Sequence, residues 1–519
     1  MLRLTWLQPE DLLGHELRQA REDGRDTRDI AARWHSAGGR EAPERAGASP
    51  TQPPPHLRNV ATTLLAELAS QPSKLATAEP TAWHAIQATW TRDDHPHPAH
   101  PAASSRTTAD PHPPSPLAPA AGSRASPSAR RAWEVPPWGG TGGRSGTPQA
   151  RASDNAPTPA THQPAPNPTP PPTPRTYESA WLGRAVGCVL GKPVEKLPLH
   201  AIRALAKSTG NWPLTTYFTA KGVPDSLLAQ HPWNRRSATT SLAENIDGMP
   251  EDDDLNYPLL NLLLLQRHGR NFTTDDVARL WLDELPAGRT FTAERIAYRN
   301  LLTGIDPPRT AHHNNPFREW IGAMIRADVH GWTNPGNPEA AAEQAYRDAT
   351  LTHTANGVYA AMYIAATIAT AATGTHDIHT CLSTALRVIP ATSRLHKAVT
   401  GAIQLARTER DFDRIVDELH ATHGHYHWVH AIPNTALIAA ALTHADGDFT
   451  ASICRTVSGG WDTDSNGATA GSIAALLTGP PPPHWTTPLK NRLSTTIADF
   501  DGTGFDTLAH LTHVEATRP

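Results

Sequence analysis

From residue 177 onward, apolar residues return every three or four positions with polar residues between them. That period lines up one face of a helix. It predicts helices over 179–190, 199–207, 255–267, 275–284, 293–302, 317–325, 339–349, 357–372, 394–407, 434–444, 449–457 and 467–477. Loops rich in Gly, Pro and Asp separate these stretches. Thr273, Thr274, Asp275 and Asp276 supply an N-cap and first-turn acids for one of them. Alternating β-branched runs are almost absent. The expectation is an all-α domain over 177–519, large enough to bury a substantial core.

The same period recurs more faintly at 9–21, 26–34 and 57–68, which predicts a few short helices within a small module spanning 1–92. This module is short of apolar mass, so it is expected to fold only against a partner or the rest of the chain. Between the two lies 93–176, built largely of Pro, Ser, Thr, Ala and Gly. Runs such as APTPATHQPAPNPTPPPTP cannot bury a core and favour extended polyproline II, so a disordered linker is expected there.

Composition agrees with a globular part diluted by such a linker: 50 prolines and 38% hydrophobic residues in 519. The net charge of -4 offers no overall basic excess for nucleic acid. Cys188, Cys381 and Cys454 stand far apart with no CxxC spacing, which argues against a disulfide framework or a cysteine-built zinc site and suits a reducing compartment. The opening MLRLTWLQPEDLL meets Glu10 and Asp11 before an apolar leader could form, and no apolar run approaches the ~20 residues of a membrane span. The expected location is the cytoplasm, without a membrane partner.

Two acidic clusters change the picture. Glu251-Asp252-Asp253-Asp254 precedes the helix at 255–267, and Asp462-Thr463-Asp464-Ser465 follows Gly459-Gly460 and precedes another. Acids at helix N-termini have a purely structural explanation, since the macrodipole stabilises each by about 0.3–1 kcal/mol. Three consecutive aspartates are harder to explain that way, because crowded carboxylates repel unless a cation sits among them. Hard divalent cations with oxygen ligands meet that need. The histidine-rich run from His423 to His430 invites a zinc reading, but Gly424 is poor helix material and a polar surface stretch explains it better.

These clusters resemble motifs of the ADP-ribosylglycohydrolase family. Gly187-Cys188-Val189-Leu190-Gly191-Lys192-Pro193-Val194-Glu195 is similar to the family's G-D-x-x-G-x-x-x-E. Asp252-Asp253-Asp254-Leu255 resembles its T-D-D-T. Asp462-Thr463-Asp464-Ser465-Asn466-Gly467 resembles its D-T-D-T/S-N-A/G, in the same order along about 177–500. The resemblance implies an orthogonal multi-helix bundle with a cleft holding two magnesium ions, or manganese. It assigns Asp252, Asp253 and Asp254 to one ligand set, Asp462, Asp464 and Ser465 to the other, and Glu195 to the mobile glutamate over the metals. Cys188 stands where the family has aspartate, Asp252 and Leu255 where it has threonine. Gly322, Ala323 and Arg326 resemble the loop that cradles the pyrophosphate. His353 and Asn356 fall on a motif that lines the substrate cleft.

The activity so implied is metal-dependent hydrolysis at ribose C1″ of an ADP-ribosylated protein, nucleic acid or small molecule, releasing ADP-ribose, with Glu195 as general base or acid. Three alternatives stay open at this point. They are a catalytically silent ADP-ribose binder, an interaction protein recruiting a partner through its N-terminal module, and a nucleoside or phosphate hydrolase using the same metals.

Overall fold

The apolar periods become helices, and the computed structural model describes residues 7–42, 53–90 and 172–518. Most of the expected linker, 93–171, lies outside these residues. The N-terminal part contributes α1 (Pro9–Glu22), α2 (Arg28–Ser36) and α3 (Pro55–Ser70). The main helices that follow are α4 (Pro174–Gly191), α5 (Asp253–His268), α6 (Ala355–Ala371), α7 (Arg394–Thr408), α8 (Ala431–His444), α9 (Thr463–Thr478) and α10 (Phe505–Thr517), with shorter helices between. Among the described residues there is no strand, only the isolated bridges Met249–Leu493 and Trp320–His430. The protein is all-α. No helix among the described residues is long and apolar enough to cross a membrane.

Helix α6 lies at the centre of the core, buried from Ala355 through Ala371. It has no polar face, as a helix covered on every side requires. Helices α4 and α9 cross at backbone contact. A Cβ on Gly183 would lie 2.3 Å from the carbonyl oxygen of Gly471, one on Gly187 1.9 Å from that of Gly467, and one on Gly191 2.2 Å from that of Thr463. Only glycine permits this approach. The crossing delivers the C-terminus of α4 to the N-terminus of α9, where the Thr463 hydroxyl donates to the Gly191 carbonyl (2.8 Å).

Residues 7–90 belong to the same compact unit as 172–518. Buried charges join them. The Arg318 guanidinium donates to Glu16 Oε2 (2.8 Å) and to Asp23, both from the N-terminal part. Arg394 donates to Glu79 Oε2 (2.7 Å) and to Glu319 Oε2 (2.8 Å). The Tyr346 hydroxyl donates to the Thr81 carbonyl (3.0 Å).

The predicted helix at 317–325 does not form as such. Residues 316–319 turn, Trp320 forms the isolated bridge with His430, and Ile321–Arg326 is a 3-10 segment. A neighbouring strip of chain claims the backbone groups: Ile321 N–H donates to the Val429 carbonyl (2.9 Å), and Ala431 N–H donates to that of Glu319 (3.0 Å). That same strip takes His427 into the interior, against the polar-surface expectation, and His430 packs in the core as its place beside the helix at 434–444 suggests. His430 Nδ1 caps α8 by accepting from Ile432 N–H (3.2 Å). The helices Ile378–Leu386 and Phe412–His423 are not among the predicted ones, although Ile378, Cys381, Leu382 and Ala385, and Ile415, Val416 and Leu419, recur at helical spacing.

Candidate active site and metal centre

Each acidic cluster is aimed by its backbone. Before α9, Gly460 (φ +80°) and Trp461 (φ +56°) are both left-handed, a conformation costly for tryptophan. Trp461 is held there by stacking on His420 with ring centroids 4.0 Å apart, and His420 is bonded to the Gly459 carbonyl (2.8 Å). The chain then turns so that Asp462 N–H donates to Asn434 Oδ1 (3.1 Å), which also accepts from Asn466 Nδ2 (2.6 Å). Before α5, Asp252 is the N-cap, its Oδ1 accepting from Asp254 N–H (2.9 Å). Glu195 follows the short 3-10 turn Lys192–Val194 at the end of α4.

These segments meet in a cleft of about 690 Å³ whose walls include Glu195, Asp252, Asp253, Asp462, Asp464 and Ser465, a volume suited to a small-molecule ligand. Carboxylate oxygens of Glu195, Asp462 and Asp464 lie within 4.8 Å of one another. Glu195 is held from outside, accepting from Asn234 Nδ2 (2.7 Å) and paired with Lys196 (2.6 Å). Among the described residues, Asp253, Asp462 and Asp464 have no cationic side chain in contact. The result is a set of acids that resist ionisation. Burial, then Asp464 and Glu195, push Asp462 well up, and burial, then Asp252 and Asp254, do the same to Asp253. Asp464 is pushed up to about 7 by burial, then by Glu195 and Asp252. Asp252 behaves oppositely. Burial would raise it, but the Lys192 ammonium in contact with Oδ2 holds it below the usual carboxylate range.

Asp254 does not face the cleft. It is buried beside Arg184, whose Nη2 lies 3.5 Å from its Oδ1 and whose Nε donates to its carbonyl (2.7 Å). Arg184 also pairs with Asp328 (2.9 Å). Cys188 sits behind the site, fully buried, with its thiol 3.7 Å from Asp254 Oδ2.

The residues assigned to substrate divide. Gly322 lines the cleft between Ile321 and Ile325, and a Cβ there would strike the Glu294 carboxylate (2.0 Å). Ala323 is buried away from it. Arg326, expected to face a pyrophosphate, is fully buried and occupied, donating to Asp348 Oδ2 (2.6 Å), Glu294 Oε1 (3.0 Å) and the Thr352 hydroxyl (2.7 Å). It braces the segment that lines the cleft. His353 is buried and bonded through Nδ1 to the Thr352 hydroxyl (2.6 Å), its pKa pushed well down by burial and then by Arg326. Asn356 donates to Glu79 of the N-terminal part (2.9 Å) and accepts from Leu395 N–H (2.9 Å). None of Ala323, Arg326, His353 and Asn356 borders the cleft.

Positive charge at the cleft comes from residues not singled out in the sequence. Lys196, Arg236, Arg289 and Arg295 form a rim, with Phe291 and Trp428 presenting rings beside them. Arg289 pairs with Glu251 (3.1 Å), and Arg295 donates to the Thr290 carbonyl (2.6 Å) and lies over Phe291. They sit in loops and helix starts with no local pattern to mark them.

A family model described as ADP-ribosylglycohydrolase matches residues 170–517. A solved structure described as an ADP-ribosylglycohydrolase-related protein complex is similar at 19% identity, covering 66% of this chain and 99% of that one, with a TM-score of 0.43. No curated protein matches the sequence.

Proposed function

The chain belongs to the ADP-ribosylglycohydrolase family, and on that premise we propose that it is a divalent-cation-dependent hydrolase that cleaves the glycosidic bond at ribose C1″ of an ADP-ribosylated substrate and releases ADP-ribose. The observation that carries this reading is the convergence of Glu195, Asp253, Asp462 and Asp464, from three separated stretches, on one cleft. The donor set fits a hard cation. It is carboxylate oxygen with a neighbouring serine hydroxyl, and its acids are pushed toward protonation by burial and then by one another, which a bound cation would offset. Asp253, Asp462 and Asp464 are the residues that would hold it, with Glu195 and Ser465 beside them. Magnesium suits these ligands, and manganese takes the same set.

When bound, the cation supplies positive charge that orients ribose hydroxyls and acidifies water. The chain's own groups do the rest. Glu195, steadied by Asn234 and Lys196, is the carboxylate placed to take or deliver a proton. Cleavage builds positive charge at C1″, and the surrounding acids favour it. The rim of Lys196, Arg236, Arg289 and Arg295 faces where a diphosphate would lie, and Trp428 and Phe291 offer flat apolar surface. All three cysteines are buried and free, which fits a reducing compartment such as the cytoplasm. Release of free ADP-ribose from an ADP-ribosylated substrate, dependent on both an added divalent cation and Asp464, is the test of this reading.

A further inference from the structure

The two halves of the acidic cluster differ in what already holds them. On one side both oxygens of Asp252 are committed, Oδ1 to Asp254 N–H (2.9 Å) and Oδ2 to the Lys192 ammonium. Asp254 is flanked by the Arg184 guanidinium and the Cys188 thiol. Atoms of Cys188, Asp252 and Asp254 lie within 4.8 Å of one another, the spacing of an ion-binding group, yet a side-chain cation is already seated against it. On the other side Glu195, Asp462 and Asp464 are equally close together, and among the described residues neither aspartate has an ammonium or guanidinium in contact; Lys192 and Lys196 act on Asp464, and Lys196 on Asp462, only at longer range.

Resting on the divalent-cation reading above, we infer that the Lys192 ammonium is a built-in cation occupying one of the two cation positions, so that the site takes a single divalent ion at Asp462, Asp464, Glu195 and Asp253. Lys192 is poorly placed to leave. It is 7% exposed and directly follows Gly191, whose backbone is pressed against Thr463. A second divalent ion at Asp252 would have to face the ammonium at close range or strand it in the interior without its partner, and both are unfavourable. The fixed +1 charge then does part of what a second ion would do: it pairs with Asp252 and places positive charge in the wall of the cleft.

The test counts ions, not turnover. The full chain is stripped with chelator and loaded with Mn2+. Bound manganese per chain is measured by equilibrium dialysis with atomic emission, beside Lys192→Met and Lys192→Gln, with circular dichroism to establish that each variant is folded. Electron paramagnetic resonance gives a second readout, because an isolated Mn2+ shows a six-line spectrum, whereas two ions about 3.5–4 Å apart couple. One ion with a six-line spectrum in the wild type, and two coupled ions in the variants, is the expected result. Two coupled ions in the wild type overturn the inference, and that count needs no variant. One ion in every form overturns it as well, since the lysine would not be what excludes the second. No ion in any form, with Asp464→Asn behaving like the wild type, overturns the divalent-cation reading itself.

Discussion

Gly187 and Gly467 meet backbone to backbone: a Cβ on Gly187 would lie 1.9 Å from the Gly467 carbonyl oxygen. This contact fixes how close α4 comes to α9, and therefore how close Glu195 comes to Asp462 and Asp464. Gly187→Val forces the helices apart. Overpacking of this kind costs about 1–3 kcal/mol, occasionally more. The variant is expected to unfold at lower denaturant than the wild type and to bind divalent cations more weakly, as measured by urea titration and by dialysis.

Asp464 gives the metal-free protein a pH signature. Its folded pKa is about 7 against an ordinary 3.8. Between those values the folded chain retains a proton that the unfolded chain has released, so stability falls as pH rises through the window. The penalty is absent below about pH 4 and complete above about pH 7. In EDTA at pH 8, Asp464→Asn is therefore expected to be more stable than the wild type, on the order of a few kcal/mol, since each pKa unit is worth about 1.4 kcal/mol. That advantage should vanish near pH 4. Saturating divalent cation should reverse the order at pH 8, because only the wild type gains binding-linked stability. Thermal melts across pH check both.

Arg326 is a brace for the fold. Arg326→Met leaves Glu294 and Asp348 buried without their partner, a loss of about 3–5 kcal/mol. Its effect is expected in the unfolding midpoint. A substrate-binding arginine would instead raise KM with stability kept, and the two measurements together separate the roles.

Arg394 joins Glu79 of the N-terminal part to Glu319 of the helical part. Arg394→Met strands both carboxylates and is expected to cost about 3–5 kcal/mol. Glu319, pushed up to about 8 by burial despite Arg394, would hold its proton still more firmly. Increased protease cutting within 7–90 of the native variant would show that this ion pair keeps the N-terminal part seated.

Glu195→Gln keeps the shape of the side chain and removes its charge. Turnover is expected to fall by about 10²–10⁴-fold, the usual contribution of a positioned acid or base, with the fold unchanged by circular dichroism. Full turnover would remove Glu195 from the mechanism.

Helix content was legible because burial of one face imposes its period, and α5, α6 and α9 lie close to where the apolar pattern puts them. The acidic ends of α5 and α9 were legible because more charge is concentrated there than helix capping needs. The α4–α9 crossing had a signal in the sequence, glycines four apart at 183, 187 and 191 and at 467 and 471, which apolar periodicity does not register. Arg326, His353 and Asn356 were assigned to substrate by resemblance alone. Their partners Asp348, Thr352 and Glu79 occupy them, and in Asn356's case the partner comes from the far side of the proline-rich stretch. The 317–325 segment lost its helix to hydrogen bonds with residues 429–431, a tertiary demand with no local mark. The basic rim was invisible for the same reason: Arg236, Arg289 and Arg295 come together only when the loops that carry them fold around the cleft.

The most direct test of the central claim is release of free ADP-ribose from a panel of ADP-ribosylated proteins, nucleic acids and small molecules, in magnesium, in manganese and in EDTA, with the wild type beside Asp253→Ala and Asp464→Ala. Release from at least one class of acceptor, abolished by EDTA and by either substitution, is the expected result. No release from any acceptor, or release indifferent to EDTA and to both aspartates, would contradict it.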